Sequence, residues 1–202
     1  MSEPRIPAEA VKRLRDLTGA GMMDCKRALE ESGGVVEKAI DILRARGQAG
    51  TQKRAGRTAS EGVVDAYIHG EGRIGVLVEV SCETDFVART DEFRRLAREI
   101  AMQVAASNPA WVSRQEVPSD RVEGERKIYE EQARTGGKPE NVIDRIVDGK
   151  LEAFFRQTVL MDQPYIRDDS VTVGDLVTDV AAKVGEKVAI RRFVRFEVGK
   201  EA

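Results

Sequence analysis

Histidine and cysteine are nearly missing from this chain of 202 residues, which has one of the first and two of the second. A single imidazole, His69, excludes a multi-histidine metal centre. Cys25 and Cys82 lie far apart, form no Cys-x-x-Cys, and sit in apolar patterns, so they read as buried free thiols instead of a disulfide or a metal pair. Long apolar runs are absent as well. No stretch approaches the roughly 18 residues of a membrane span, and the amino terminus has no signal-peptide core, so a cytoplasmic location is expected. Charge of one sign is also lacking. Thirty-three basic residues against 35 acidic ones give a net charge of -2, which leaves no overall basic field for phosphates and predicts no direct nucleic acid partner. There is no Walker loop, nucleophile elbow or HExxH motif. Neither Glu83 nor Asp85 has an acid-base partner that spacing places beside it. Bond chemistry, a metal and a cofactor are therefore not expected, and the chain is read as one that works by binding.

The most informative stretch follows residues 74–82, where Ile74, Val76, Val78, Val80 and Cys82 alternate with Leu77, Glu79 and Ser81 at the period of a strand. A helix begins soon after, with Thr90 as N-cap, Asp91 and Glu92 in its first turn, and Phe93, Leu96, Ala97, Ile100, Ala101 and Val104 on one stripe. Between them Glu83-Thr84-Asp85-Phe86-Val87 makes a short bend carrying two carboxylates and a large aromatic. On pattern alone Phe86 is a core residue and Asp85 a loop or capping residue. If Phe86 points outward instead, it is a knob that needs a hole in another molecule.

Upstream, residues 6–47 read as three short helices. Val11, Leu14 and Leu17 face inward from the first, Met22, Cys25, Ala28 and Leu29 from the second, and Val36, Ala39, Ile40 and Leu43 from the third, which ends at Gly47. Of the adjacent Met22 and Met23 only one fits the core, which leaves the other near the surface for partner contact. Residues 48–60, with Lys53, Arg54 and Arg57 and no acid before Glu61, form a linker or an exposed helical extension. Gly62–His69 and residues 74–82 form a hairpin about Gly70-Glu71-Gly72. Gly70-x-Gly72-x-x-Gly75 matches a dinucleotide fingerprint by letter, but it joins strand to strand and is read as a turn.

Farther on, Trp111 anchors a loop over the core, and Asp120 with Glu123 forms a capping box on a helix that runs to Gly136. Pro139 opens a second helix antiparallel to it, and both lie on the core. Thr172 and Asp175 start the last helix, closed by Gly185. Lys187–Val198 is a final strand, with Val188, Ile190, Val194, Phe196 and Val198 on one face. Pairing it with the hairpin gives about three antiparallel strands, because an isolated hairpin is marginal in water. The expected fold class is α+β, with a small antiparallel sheet packed with helices. The expected domains are a three-helix module at 1–47, a linker at 48–60 and an α+β core at 61–202.

Three motifs, Thr18-Gly19-Ala20-Gly21-Met22-Met23-Asp24-Cys25-Lys26, Cys82-Glu83-Thr84-Asp85-Phe86-Val87 and Arg192-Phe193-Val194-Arg195-Phe196-Glu197, stand in an order that resembles the bacterial translation elongation factor Ts family. The resemblance implies that the three-helix module is of the ubiquitin-associated type. It also implies a guanine nucleotide exchange factor whose partner is the GTPase elongation factor Tu, bound in its GDP form. Thr84, Asp85, Phe86 and Val87 match the family segment associated with dislodging magnesium from the bound nucleotide. Met22 and Met23, His69 in its Tyr-x-His-Gly context, and Arg15 are further candidate partner contacts. The chain carries one copy of the core, like short members of the family that act as homodimers, so a two-plus-two complex is expected, with the sheet or the last strand as the interface. Two alternatives come from other classes: an RNA- or ribosome-binding accessory factor using Lys53, Arg54 and Arg57, and a helix-binding adaptor built on the first module.

Overall fold

The computed structural model describes residues 6–200. The chain forms two compact units. The first contains the chain through Val63 with Ser81–Arg94 and Val177–Ala189; the second contains Val64–Val80, Arg95–Leu176 and the chain from Ile190 on. Grouping thus follows contacts instead of chain order, so the Thr84–Val87 stretch belongs with the amino-terminal helices.

In the first unit, helices α1 (Ala8–Thr18), α2 (Met22–Glu31) and α3 (Val36–Arg54) pack around Val11, Leu14, Cys25, Ala28, Leu29 and Ala39. Three stripe assignments need correction. Leu17, Met22 and Ile40 were expected inside, yet they are 62%, 46% and 36% exposed, and Met23 is 62% exposed. Both Leu17 and Met22 sit at helix ends beside the Gly19–Gly21 turn.

The end expected for α3 at Gly47 is also corrected, because the helix continues to Arg54. Gly47 serves packing and not termination: a Cβ there would lie 3.0 Å from the Cβ of Ala182. Residues 48–54 therefore take the helical of the two readings given for the 48–60 stretch.

The second unit holds most of a three-stranded sheet in the order β1 (Glu61–His69), β2 (Ile74–Cys82), β5 (Ala189–Glu197). The turn after β1 closes through the Arg73 N–H donating to His69 O at 3.1 Å, with Gly70, Glu71 and Gly72 all at positive φ, so the fingerprint-like glycines do form a hairpin turn. Val198 N donates to Arg73 O, and Ser81 Oγ donates to Ala189 O. The end of β5 therefore meets the start of β2 and the reverse, which is antiparallel pairing.

Val76, Val78 and Val80 are buried on one face of β2, as are Leu96, Ile100 and Val104 on α5 (Asp91–Ser107). Arg195 donates to Ala105 O, which puts the odd-numbered side of β5 toward that helix. The opposite face carries Val64, Ile68, Leu77, Val194, Phe196 and Val198, all exposed, with Glu79 and Arg192 paired at 2.7 Å on the same side. The last strand thus differs from the expectation of one uniformly covered face: Val188 and Ile190 are buried, whereas Val194, Phe196 and Val198 lie open.

Helices α6 (Ser119–Thr135) and α7 (Glu140–Thr158) form an antiparallel hairpin with its own cluster of Ala133, Ile143, Val147 and Leu151. At its base Trp111 packs on Phe154 beside Val117 and Val159, the anchoring role expected of it. The capping box proposed at Asp120 does not form. Pro118 occupies the N-cap, and Asp120 accepts only from the neighbouring Arg121 N–H. The box on α8 (Val173–Val184) does form, since Thr172 Oγ1 and the Asp175 carboxylate each accept from the other residue's N–H at 3.0 Å. A small hairpin, β3 (Pro164–Tyr165) with β4 (Asp168–Thr172), had no strand signal in the sequence.

Candidate partner-binding site

The expected bend after β2 is a single helical turn, α4 (Asp85–Ala88). Thr84, extended at φ -128 and ψ 152, is its N-cap, and its hydroxyl accepts from the Val87 N–H at 3.4 Å. Helical residues two apart point to nearly opposite sides. Ala88 is buried, so Phe86 is turned outward and is 78% exposed, the highest value among the exposed large apolar residues. Asp85 pairs with Arg89 at 2.8 Å, and Val87 is half-buried. A ring this size left in water is the knob form of the two readings given above.

The base of α4 is held by two carboxylates arranged reciprocally. Glu186 Oε2 accepts from the N–H groups of Glu83 and Thr84, each at 3.0 Å, and Oε1 accepts from the Thr84 hydroxyl at 2.6 Å. In return Glu83 Oε1 accepts from the Lys187 N–H at 2.6 Å. That backbone bond, helped by Arg57, holds the Glu83 carboxyl below its ordinary range. Lys187 Nζ donates to the carbonyls of Ala55 and Arg57. Burial, and then the Glu186 charge, push the Cys82 thiol up to about 11. Cys25 and Cys82 are both free and buried, as their spacing implied.

The turn that precedes the two methionines approaches the same end of α8. Gly19, at φ +68, lies under the stem of Lys183, so closely that a Cβ would fall 2.9 Å from Lys183 Cε. Desolvation lowers the affinity of that ammonium for its proton, but Asp179 at 2.7 Å and Glu92 at 3.4 Å more than reverse this and leave it above the usual lysine range. Met22 and Met23 open α2 just after the turn whose Gly19 lies on Lys183, and Phe86 lies in α4 just after Thr84, which is held by Glu186 three residues farther on. Arg15 is exposed on α1, and its carbonyl accepts from the Gly19 N–H. His69, in the second unit, is exposed, with Nδ1 3.0 Å from the Tyr67 hydroxyl.

The basic stretch is partly occupied by its own chain. Arg54 donates to Ala181 O at 3.2 Å, and Arg57 pairs with Glu83 at 3.3 Å, while Lys53 is exposed. Lys183, Glu186 and Lys187 escaped the sequence reading. Lys183 lies in α8 off its apolar stripe, Glu186 follows the Gly185 stop and Lys187 opens the stretch read as the final strand, and periodicity assigns a charged side chain in such places no partner.

The sequence profile described as Elongation factor TS matches residues 22–200, nearly the whole described chain and all of the elements just assembled after α1. The chain belongs to the elongation factor Ts family. Elongation factor Ts of Carboxydothermus hydrogenoformans is 58% identical over 195 residues, 96% of this chain and 90% of that protein. Those of Thermoanaerobacter pseudethanolicus and Caldanaerobacter subterraneus subsp. tengcongensis are each 60% identical over 96% of this chain and 96% and 98% of theirs. No helix among the described residues is long and apolar enough to cross a membrane.

Proposed function

We propose that this chain is the guanine nucleotide exchange factor of elongation factor Tu, and that it expels GDP by inserting Phe86 beside the partner's magnesium site. The observation that carries this reading is the exposed ring on a capped, clamped helical turn. A chain that leaves the largest side chain of this turn in water, while Glu186 accepts from the Glu83 and Thr84 N–H groups and the Thr84 hydroxyl beneath it and Glu83 accepts from the Lys187 N–H, has built a rigid apolar projection.

Magnesium makes the insertion effective. It requires near-ideal octahedral geometry at about 2.0–2.1 Å, so displacing a ligand or its support by a fraction of an ångström weakens it steeply. Burying a phenylalanine is worth about 1.5–3 kcal/mol, and each 1.4 kcal/mol taken from nucleotide binding is about tenfold in affinity. Phe86 thus supplies part of the displacement, with Thr84 and Val87 shaping the turn, Asp85 facing the phosphates, and Met22, Met23, Arg15 and His69 holding the partner. Linkage makes the effect reciprocal, so GDP weakens the complex as the complex weakens GDP.

The active species in this reading is a homodimer carrying two GTPases. The open sheet face of Val64, Ile68, Leu77, Val194, Phe196 and Val198 is apolar, and its one acid-base pair, Glu79 with Arg192, lets a second copy match it about a two-fold axis. The test is capture of elongation factor Tu from a bacterial lysate with and without excess GDP. Retention that GDP reverses is expected; retention indifferent to GDP, or RNA captured in a salt-sensitive way in its place, refutes the reading.

A further inference from the structure

We infer that Glu186 is a positioning residue for exchange, acting through Thr84 to set the direction in which Phe86 projects; this rests on the proposed role of Phe86. A helix of four residues has no stability of its own, so its form depends on what caps and anchors it. The Thr84 hydroxyl has one proton and two lone pairs. Its proton goes to Glu186 Oε1 at 2.6 Å, which leaves a lone pair turned toward the Val87 N–H at 3.4 Å. Glu186 Oε2 meanwhile fixes the two backbone N–H groups that lead into the turn. One carboxylate therefore sets the peptide planes before α4 and the rotor that caps it, and Phe86 follows two residues later. The return bond from Lys187 N–H to Glu83 closes the frame, so that rotation of either strand end is resisted from both sides. Such bonds to a charged acceptor are about twice as strong as neutral ones.

The test uses full-length Glu186→Ala, Glu186→Gln, Phe86→Ala and the double variant Phe86→Ala with Glu186→Ala, each with elongation factor Tu loaded with fluorescent GDP. The maximal release rate at saturating exchange factor is read separately from the concentration giving half that rate. Glu186→Ala is expected to lower the maximal rate about tenfold, since small misplacements of a positioned group are costly, with the half-saturating concentration within about twofold of wild type. Glu186→Gln, which keeps an oxygen for the two N–H groups, recovers most of the rate. The double variant releases GDP no more slowly than Phe86→Ala alone. Amide hydrogen exchange at Glu83 and Thr84 rises in Glu186→Ala and stays low in Glu186→Gln; if the alanine variant does not fold, Glu186→Asp, whose carboxylate is one methylene too short to hold Thr84 in the same place, replaces it and is expected to show the same loss of maximal rate and rise in exchange, a wild-type rate in it overturning the inference. A wild-type maximal rate in Glu186→Ala, or losses that multiply in the double variant, overturns the inference alone. A wild-type rate in Phe86→Ala overturns both it and the reading it rests on.

Discussion

Truncating Phe86 to alanine isolates the projection from the scaffold. In the free protein the ring is 78% exposed, so its loss removes little of the fold's own packing. Surface substitutions of this kind usually stay within about 0.5 kcal/mol, a shift of no more than about 2 °C in melting temperature for a chain of this size. In the complex the same exposed fraction is what the partner can bury. Taking that fraction of the roughly 1.5–3 kcal/mol for a fully buried phenylalanine gives about 1.2–2.3 kcal/mol. If all of it acts on nucleotide release, the variant slows GDP dissociation about 7- to 45-fold. Stopped-flow fluorescence with labelled GDP on elongation factor Tu measures this directly, and Phe86→Leu, similar in hydrophobicity, should restore part of the rate. A variant that melts like wild type and still releases GDP at the wild-type rate refutes the wedge.

Three further outcomes are expected. Replacing Met22 and Met23 together by alanine, in the full chain, should weaken association with elongation factor Tu about tenfold by calorimetry while leaving the maximal release rate near wild type, because both side chains are exposed and contribute binding area only. Phe196→Glu places a charge on the open sheet face and should convert a dimer to a monomer by light scattering while the monomer still folds cooperatively, as Phe196 is 61% exposed in the single chain, and its melting temperature should lose the concentration dependence that a dimer shows. Cys82, whose thiol lies above its ordinary value of 9.0 at about 11, should resist alkylation at pH 8 in the folded state. Since the raised pKa favours the protonated thiol in the fold, its contribution to stability is fully present below pH 9 and is lost as pH rises toward 11, which a melting series across that window reads.

The elements that periodicity controls were legible in the sequence. The strand at Ile74–Cys82 and the apolar stripe of α5 stand where their patterns put them, because both elements are long and bury one face. Errors arose where a neighbour decides the outcome. Gly47 looks like a helix stop in isolation, but the approach of Ala182 gives the missing side chain another cause. Leu17 and Met22 continue their stripes in spacing and are exposed nonetheless, each at the helix end beside the Gly19–Gly21 turn. At the candidate site the identity of the projecting stretch came from its motif, whereas the outward direction of Phe86 depends on Ala88 being buried. The residues that fix it, Glu186 and Lys187, lie about a hundred positions away in sequence. A side chain bonding to distant backbone leaves no mark in a one-dimensional pattern.

The claim at the centre of this account is that the aromatic projection acts through the partner's metal, so the decisive measurement is GDP release from elongation factor Tu with magnesium present and with magnesium removed by a chelator, using wild type and Phe86→Ala. The gap between the two proteins is expected to close to within about twofold once the metal is gone, because nothing is left for the ring to loosen. A gap that persists undiminished without magnesium would contradict it.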